Sequence, residues 1–171
     1  MQMPVETVTV VPYREEFRAA FEQLNREWIE QYFELEEADR DLFKDPRGRI
    51  LEPGGQIFFV LAGTDVVGTC AVLRHGPEEW EIAKMAVAHR ARGRGLGDRL
   101  MEAAMVHALE SGARRIIIVS NTVLEPAIRL YRKHGFVPVP LSADERYQRV
   151  NIRLVRELRP TEPGGRPGAD G

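Results

Sequence analysis

A chain of 171 residues with 43% apolar and 29% charged side chains suits one domain with a substantial core and has the balance of an ordinary globular protein. Its net charge of -2 argues against a general nucleic-acid binder, which carries a basic surplus, so no nucleic-acid partner is expected. The single cysteine, Cys70, excludes an internal disulfide, and its setting in "VVGTCAVL" reads as a small buried hydrophobe.

The opening "MQMPVETVTVVPYREE" lacks a basic start followed by an apolar stretch, and no apolar run approaches the ~20 residues that span a bilayer. A cytoplasmic protein without a membrane partner is therefore expected. "VETVTVVPY" is rich in β-branched residues and reads as a first strand. From Arg14 to Phe33, the spacing of Phe17, Phe21, Leu24, Trp28 and Tyr32 predicts an amphipathic helix. A shorter helix follows from about Glu36 to Lys44, closed by "DPRGR". "QIFFVLAGTDVVGTCAVL" is a hairpin turning at Gly63-Thr64-Asp65, and "WEIAKMAV" is a further strand.

Gly95 to Ser111 carries Leu96, Leu100, Ala104 and Ala108 at helical spacing, with Gly112 as the stop. "RRIIIVS" is a buried strand, Pro126 to His134 a short helix ended by Gly135, and "FVPV" and "YQRVNIRLVREL" supply the last strands. Pro138 and Pro140 mark the first of these as short or at an edge, which would permit a homodimer. The pattern predicts an α/β fold: one mixed sheet of about seven strands with helices on both faces, in a single domain over 1–158. The Pro/Gly-rich stretch 159–171 reads as a flexible tail.

Between a strand and a helix stands "MAVAHRARGRGLGDRL", Met85 to Leu100, which interleaves Arg90, Arg92 and Arg94 with Gly93, Gly95 and Gly97. Glycines are costly at a helix start unless the backbone must curl. Here they let amide N–H groups at the positive end of a helix dipole converge on one anion, with the arginines adding charge. The loop is built for a phosphate or pyrophosphate. A nucleotide-hydrolase loop needs a lysine after its last glycine, which is missing, and the dinucleotide fingerprint needs glycine where Asp98 stands.

The run Arg90-Ala-Arg-Gly93-Arg-Gly95, followed by Leu96-Gly97, resembles the Arg/Gln-x-x-Gly-x-Gly/Ala signature of the GNAT superfamily of acyl-CoA-dependent N-acetyltransferases. "AIRLYRKHGF", Ala127 to Phe136, resembles that family's second motif, Ala-x-x-Leu-Tyr-x-x-x-Gly-Phe. The similarity runs from about Val5 to Leu158. It implies a twisted mixed sheet and acetyl-CoA as co-substrate. By the resemblance, amides of Arg92 through Asp98 (Arg92, Gly93, Arg94, Gly95, Leu96, Gly97 and Asp98) would bind the pyrophosphate. Main-chain groups of Met85, Ala86 and Val87 would pair with the pantetheine arm like an added strand. Many GNAT sequences carry an asparagine three residues before the alanine of the second motif. Here that position is Leu124, while Asn121 lies three residues earlier and either substitutes for it or caps the turn.

Acetyl transfer to an amine needs a base, an oxyanion donor and an acid. Glu81 is the candidate base, directly or through water. It alternates onto one side of its strand with Ala83, Met85 and Val87, and apolar neighbours should raise its pKa. The competing reading is a solvated strand-end residue beside Glu78 and Glu79. Lys84, on the opposite side, reads as a stem covering apolar surface or a charge near the cofactor. A backbone N–H near Met85 to Val87 is the oxyanion candidate. Tyr131 matches the family tyrosine that faces the cofactor sulfur and is the candidate acid, with a buried core tyrosine as the alternative. The resemblance implies direct attack, so Cys70 is not needed as a nucleophile. The four histidines show no metal-ligand spacing, and no metal is expected.

By the same resemblance, the first two helices and the last strands form the acceptor side, for which a small-molecule amine is the expected partner. Glu30, Glu34, Glu36, Glu37, Asp39, Asp41 and Asp45 form either an acidic rim attracting a cation or the wet face of a helix. Tyr32, Phe33 and Phe43 are expected in the core rather than in a pocket. A non-catalytic acyl-CoA-binding or sensing module and a protein (N-terminal or lysine) acetyltransferase remain as alternatives.

Overall fold

In the computed structural model, alternation along the central strands sorts the interior into two layers; residues 6–141 and 146–158 are described, and the expected tail lies outside them. In chain order the elements are β1 (Val8–Pro12), α1 (Arg18–Tyr32), α2 (Glu37–Lys44), β2 (Gln56–Ala62), β3 (Asp65–Arg74) and β4 (Glu79–Val87), then α3 (Leu96–Glu110), β5 (Arg115–Ser120), α4 (Glu125–Lys133), β6 (Val137–Val139) and β7 (Ile152–Glu157). They build a seven-stranded sheet in the order β1-β2-β3-β4-β5-β7-β6. Neighbours are antiparallel except β4 and β5, which are parallel because α3 crosses over between them.

Along β3, Cys70 and Val72 point to one layer and Ala71 and Leu73 to the other. The first layer holds the apolar stripe of α3 (Leu96, Leu100, Met101, Ala104), with Leu130 and Tyr131 of α4 packed at its margin. The second holds Phe21 and Ile29 of α1 and Leu42 and Phe43 of α2, against Ile57 and Phe59 of β2. Helices therefore cover both faces, as the periodicities require.

Three local departures from the sequence reading matter. A 3-10 turn, Glu15–Phe17, precedes α1 instead of one helix running from Arg14, and a single π-helical turn, Arg47–Leu51, follows α2 where a plain loop is expected. The last strand begins at Ile152 rather than Tyr147: the Val150 amide turns back to the Tyr147 carbonyl at 3.4 Å, and Asn151 N donates to Ser120 O at 3.0 Å. The third lies in β4. The β3–β4 register runs Thr69–Ala86 and then Ala71–Ala83, so Lys84 and Met85 together oppose Cys70. This bulge breaks the expected alternation of Glu81, Ala83, Met85 and Val87, and Lys84 takes a φ of 53°, a strained angle for a side chain of its size.

Candidate active site

β4 and β5 pair only at Glu79–Arg115, Trp80–Ile116 and Glu81–Ile117, and past that point they splay. The wedge between them is a cleft of about 340 Å³. On its β4 wall, Ala86 and Val87 pair with Thr69 and Gly68 of β3, and the stretch Met85 to Val87 has no ladder partner from β5 among the described residues, Val87 O accepting instead from Arg92 Nε at 3.4 Å. An extended chain can hydrogen-bond there as a strand would.

The arginine–glycine loop closes one end. Gly93 and Gly95 have φ angles of 76° and 72°, and a Cβ at either would meet open space. Glycine is therefore required by backbone angle and not by crowding. Gly95 is the N-cap of α3, whose first intrahelical bond is Arg99 N to Gly95 O at 3.3 Å. Leu96, Gly97 and Asp98 thus present their amides beyond the helix start. Arg92 and Gly97 line the cleft, whereas Arg90 and Arg94 are exposed beside it, Arg94 pairing with Glu6 at 3.7 Å. The Leu96 side chain belongs to the core, and the Asp98 carboxylate is tied to Lys133 at 2.9 Å and His134 at 2.8 Å, linking α3 to α4.

Tyr131 lines the cleft from α4, and its phenol is pushed well above its ordinary range by burial, reinforced by neighbouring Cys70. It is a protonated hydroxyl at neutral pH. Cys70 is fully buried and its thiol is likewise pushed up by burial, which disfavours the reactive thiolate. Asn121 reaches the cleft wall, but its side chain is engaged on both ends: Oδ1 accepts from Val123 N at 2.9 Å and Nδ2 donates to Arg149 O at 2.8 Å. It caps the turn leaving β5 and fastens it to the segment before β7.

The opposite end of the cleft is polar beneath an aromatic wall. Glu81 is 2% exposed and lines the cleft, yet it is not among apolar neighbours as expected. Its Oε1 lies 2.5 Å from His75 Nε2 and accepts from Arg146 at 2.8 Å. The bulge brings Lys84 round toward Glu81 and Tyr147, correcting its placement on the far side of the strand; its buried ammonium bonds Asp39 and sits 4.3 Å from the Tyr147 ring centre. Arg149 grips the same Asp39 through both terminal guanidinium nitrogens, at 2.6 and 2.7 Å, and its guanidinium carbon lies 4.5 Å from the Tyr147 ring centre. Burial draws Lys84 down while Asp39 opposes it. For Asp39, burial acts upward, but the Arg149 bonds and the Lys84 charge outweigh it and hold the carboxyl at about 2. Trp28, Tyr32 and Phe33 complete the wall, so Tyr32 and Phe33 line the cleft and only Phe43 is the core residue expected of all three.

The family model of the acetyltransferase (GNAT) family matches residues 17–136. The chain belongs to the GNAT family. Over 80 residues it is 36% identical to a mycothiol acetyltransferase of Corynebacterium glutamicum (strain R), which is 47% of this chain and 27% of that protein. A mycothiol acetyltransferase of Pseudarthrobacter chlorophenolicus is 33% identical over 90 residues, 50% of this chain and 28% of the relative. The match thus spans little more than a quarter of these curated relatives. Among solved structures, a GNAT-family acetyltransferase from Staphylococcus aureus MU50 superposes with a TM-score of 0.81 at 16% identity, covering 90% of this chain and 100% of that one. An acetyltransferase from Streptococcus agalactiae 2603 does so at 0.78 and 22%, covering 88% and 98%. Both share the GNAT fold, including a central mixed sheet flanked by helices.

At this end of the GNAT cleft, Tyr147 and Arg149 in its lining and His75 just behind it are residues that sequence reasoning passed over, while Asp39, also behind the lining, was read only as one of an acidic set. Asp39 had a visible signal: it stands three and four positions before Leu42 and Phe43, on the buried stripe of α2 rather than its wet face. His75 and Arg149 join the site only through the β3–β4 turn and the path into β7, which no local spacing encodes.

Proposed function

We propose that this domain transfers an acetyl group from acetyl-CoA to a primary amine by direct attack. The observation that carries the reading is the β4 edge at Met85 to Val87, which no β5 residue pairs among the described residues, in a cleft lined also by Gly97 at the start of α3 and by Tyr131. Amides from Arg92 through Asp98 take the pyrophosphate, with Arg90 and Arg94 supplying positive charge around it. The β4 edge holds the pantetheine arm and aims a backbone N–H from the same stretch at the developing oxyanion. Glu81 removes the ammonium proton, directly or through water, and the neutral amine attacks the thioester carbon. Tyr131 protonates the departing thiolate, a role suited by a phenol that stays protonated.

The acceptor enters from the side of Trp28, Tyr32, Phe33 and Tyr147. A small-molecule amine is the reading supported by the likeness to mycothiol acetyltransferases, whose names describe acetylation in mycothiol chemistry. The test is incubation with labelled acetyl-CoA and a panel of small amines, with peptides included, following thiol release. Turnover with a small amine supports the proposal. Acetyl-CoA binding without turnover on any acceptor would leave a sensor module in its place.

A further inference from the structure

Glu81 lies between the cleft and the outside of the protein. Glu81 lines the cleft, whereas His75 does not, yet His75 touches the Glu81 carboxylate at 2.5 Å. The His75 side chain is 28% exposed and that of Glu81 only 3%. The imidazole is held in place by the turn that joins β3 to β4, where His75 N donates to Glu79 O at 2.9 Å. Both polar contacts of Glu81 fall on Oε1, from His75 and Arg146, and Oε2 has none among the described residues. The titratable and charged groups facing Glu81 are therefore His75, Arg146, Lys84 and, across the cluster, Tyr147.

Acetyl transfer from a thioester to an ammonium is not proton-neutral. The N–C bond forms, the C–S bond breaks, and the nitrogen loses two protons on the way to an amide. One restores the hydroxyl of Tyr131, whose own proton has gone to the thiolate sulfur. The other has to reach bulk water before the next cycle. A carboxylate as hidden as Glu81 has poor contact with water for that step, and an imidazole beside it with an exposed edge is the group suited to exchange a proton near neutral pH.

We infer that His75 carries to solvent the proton that Glu81 takes from the acceptor, through the Oε1–Nε2 contact; this rests on the acetyl-transfer reading above. His75 is a relay serving Glu81 and does not touch the substrate. The test uses acetyl-CoA and the amine of the panel that releases thiol fastest. In dilute buffer, His75→Gln lowers kcat roughly tenfold while KM for acetyl-CoA holds. His75→Ala regains most of its rate when imidazole is added, the wild type is indifferent to imidazole, and Glu81→Gln is slow with or without it. Calorimetry showing unchanged acetyl-CoA affinity in the His75 variants establishes that the cofactor half is intact. Wild-type kcat for both His75 variants in dilute buffer, or a loss that imidazole does not relieve, overturns the relay alone. If Glu81→Gln turns over normally, or no acceptor releases thiol, the reading of the transfer itself falls and the relay with it.

Discussion

Lys84 and Asp39 form a buried ion pair, with side chains 4% and 0% exposed, that joins the strained bulge of β4 to the first turn of α2. Arg149 binds the same carboxylate, so three separate parts of the chain meet on one aspartate beside the aromatic-walled end of the cleft. Replacing Asp39 by Asn leaves the buried Lys84 ammonium without its bonded counter-charge, while Arg149 keeps Glu36 at 3.2 Å, and unfolding by urea at neutral pH is expected to show a loss of about 3 kcal/mol. The pair also has a pH signature. In the folded protein Asp39 titrates at about 2 against an ordinary 3.8. Its contribution, on the order of 2 kcal/mol, is fully present above the unfolded value and disappears as pH falls toward the folded one. The stability gap between wild type and Asp39→Asn should narrow between ~pH 5 and ~pH 2; a constant gap would show that Asp39 is not held in its charged form.

The loop assignment rests on backbone angles at two glycines. A side chain at Gly93 or Gly95 meets no neighbour, so substitution acts through φ alone, at roughly 1–2 kcal/mol for each residue held in the left-handed region. Gly93→Val combined with Gly95→Val, adding β-branching to both, is expected to relax the loop out of its curl and weaken acetyl-CoA binding by about tenfold or more. A Cβ at either position touches no core side chain, and far-UV circular dichroism should be little altered. Unchanged affinity by calorimetry would remove the loop from the binding site.

How far the sequence carried this reading differs between the two ends of the cleft. The curl of the glycine–arginine loop and the place of Tyr131 on the cleft were legible because each is local: a glycine–arginine alternation stands at a helix start, and Tyr131 lies in the contiguous motif "AIRLYRKHGF". The sheet was legible for the same reason, since β-branched runs and 3.6-residue stripes fix which face each element buries. The acceptor end was not. One extra residue in β4 reverses the side that Lys84 faces, and a bulge leaves no mark in a pattern that still alternates on either side of it. Glu81 was correctly placed on a strand, but its partners come from the β3–β4 turn and from just before β7, which are brought together only by folding.

Tyr131 separates chemistry from binding. Tyr131 packs at the margin of the core and lines the cleft, so Tyr131→Phe keeps the packing and removes the proposed proton donor. If the thiolate takes its proton there, kcat should fall roughly a hundredfold with KM for acetyl-CoA nearly constant. Thiol release at saturating acetyl-CoA measures it. Equal rates for the phenylalanine variant and the wild type would make Tyr131 a core residue with no part in catalysis.

Asn121 tests whether a polar residue at a cleft wall serves the ligand or the fold. Its two side-chain bonds, from Val123 N and to Arg149 O, fasten the exit of β5 to the segment carrying Arg149, and through Arg149 to Asp39. Asn121→Ala forfeits both. The Val123 amide is near the surface and regains water, so the loss should be about 1–2 kcal/mol rather than that of two wholly buried groups. Thermal unfolding is expected to register this as a lowered Tm, while calorimetry finds the affinity for acetyl-CoA changed by less than about twofold. A tenfold loss of affinity with Tm unmoved would reverse the assignment and make Asn121 a pantetheine contact. The intermediate case, in which the acceptor KM rises while acetyl-CoA still binds, would trace the effect to Arg149 and the wall it supports, because that is the side of the cleft to which the Asn121 bond leads.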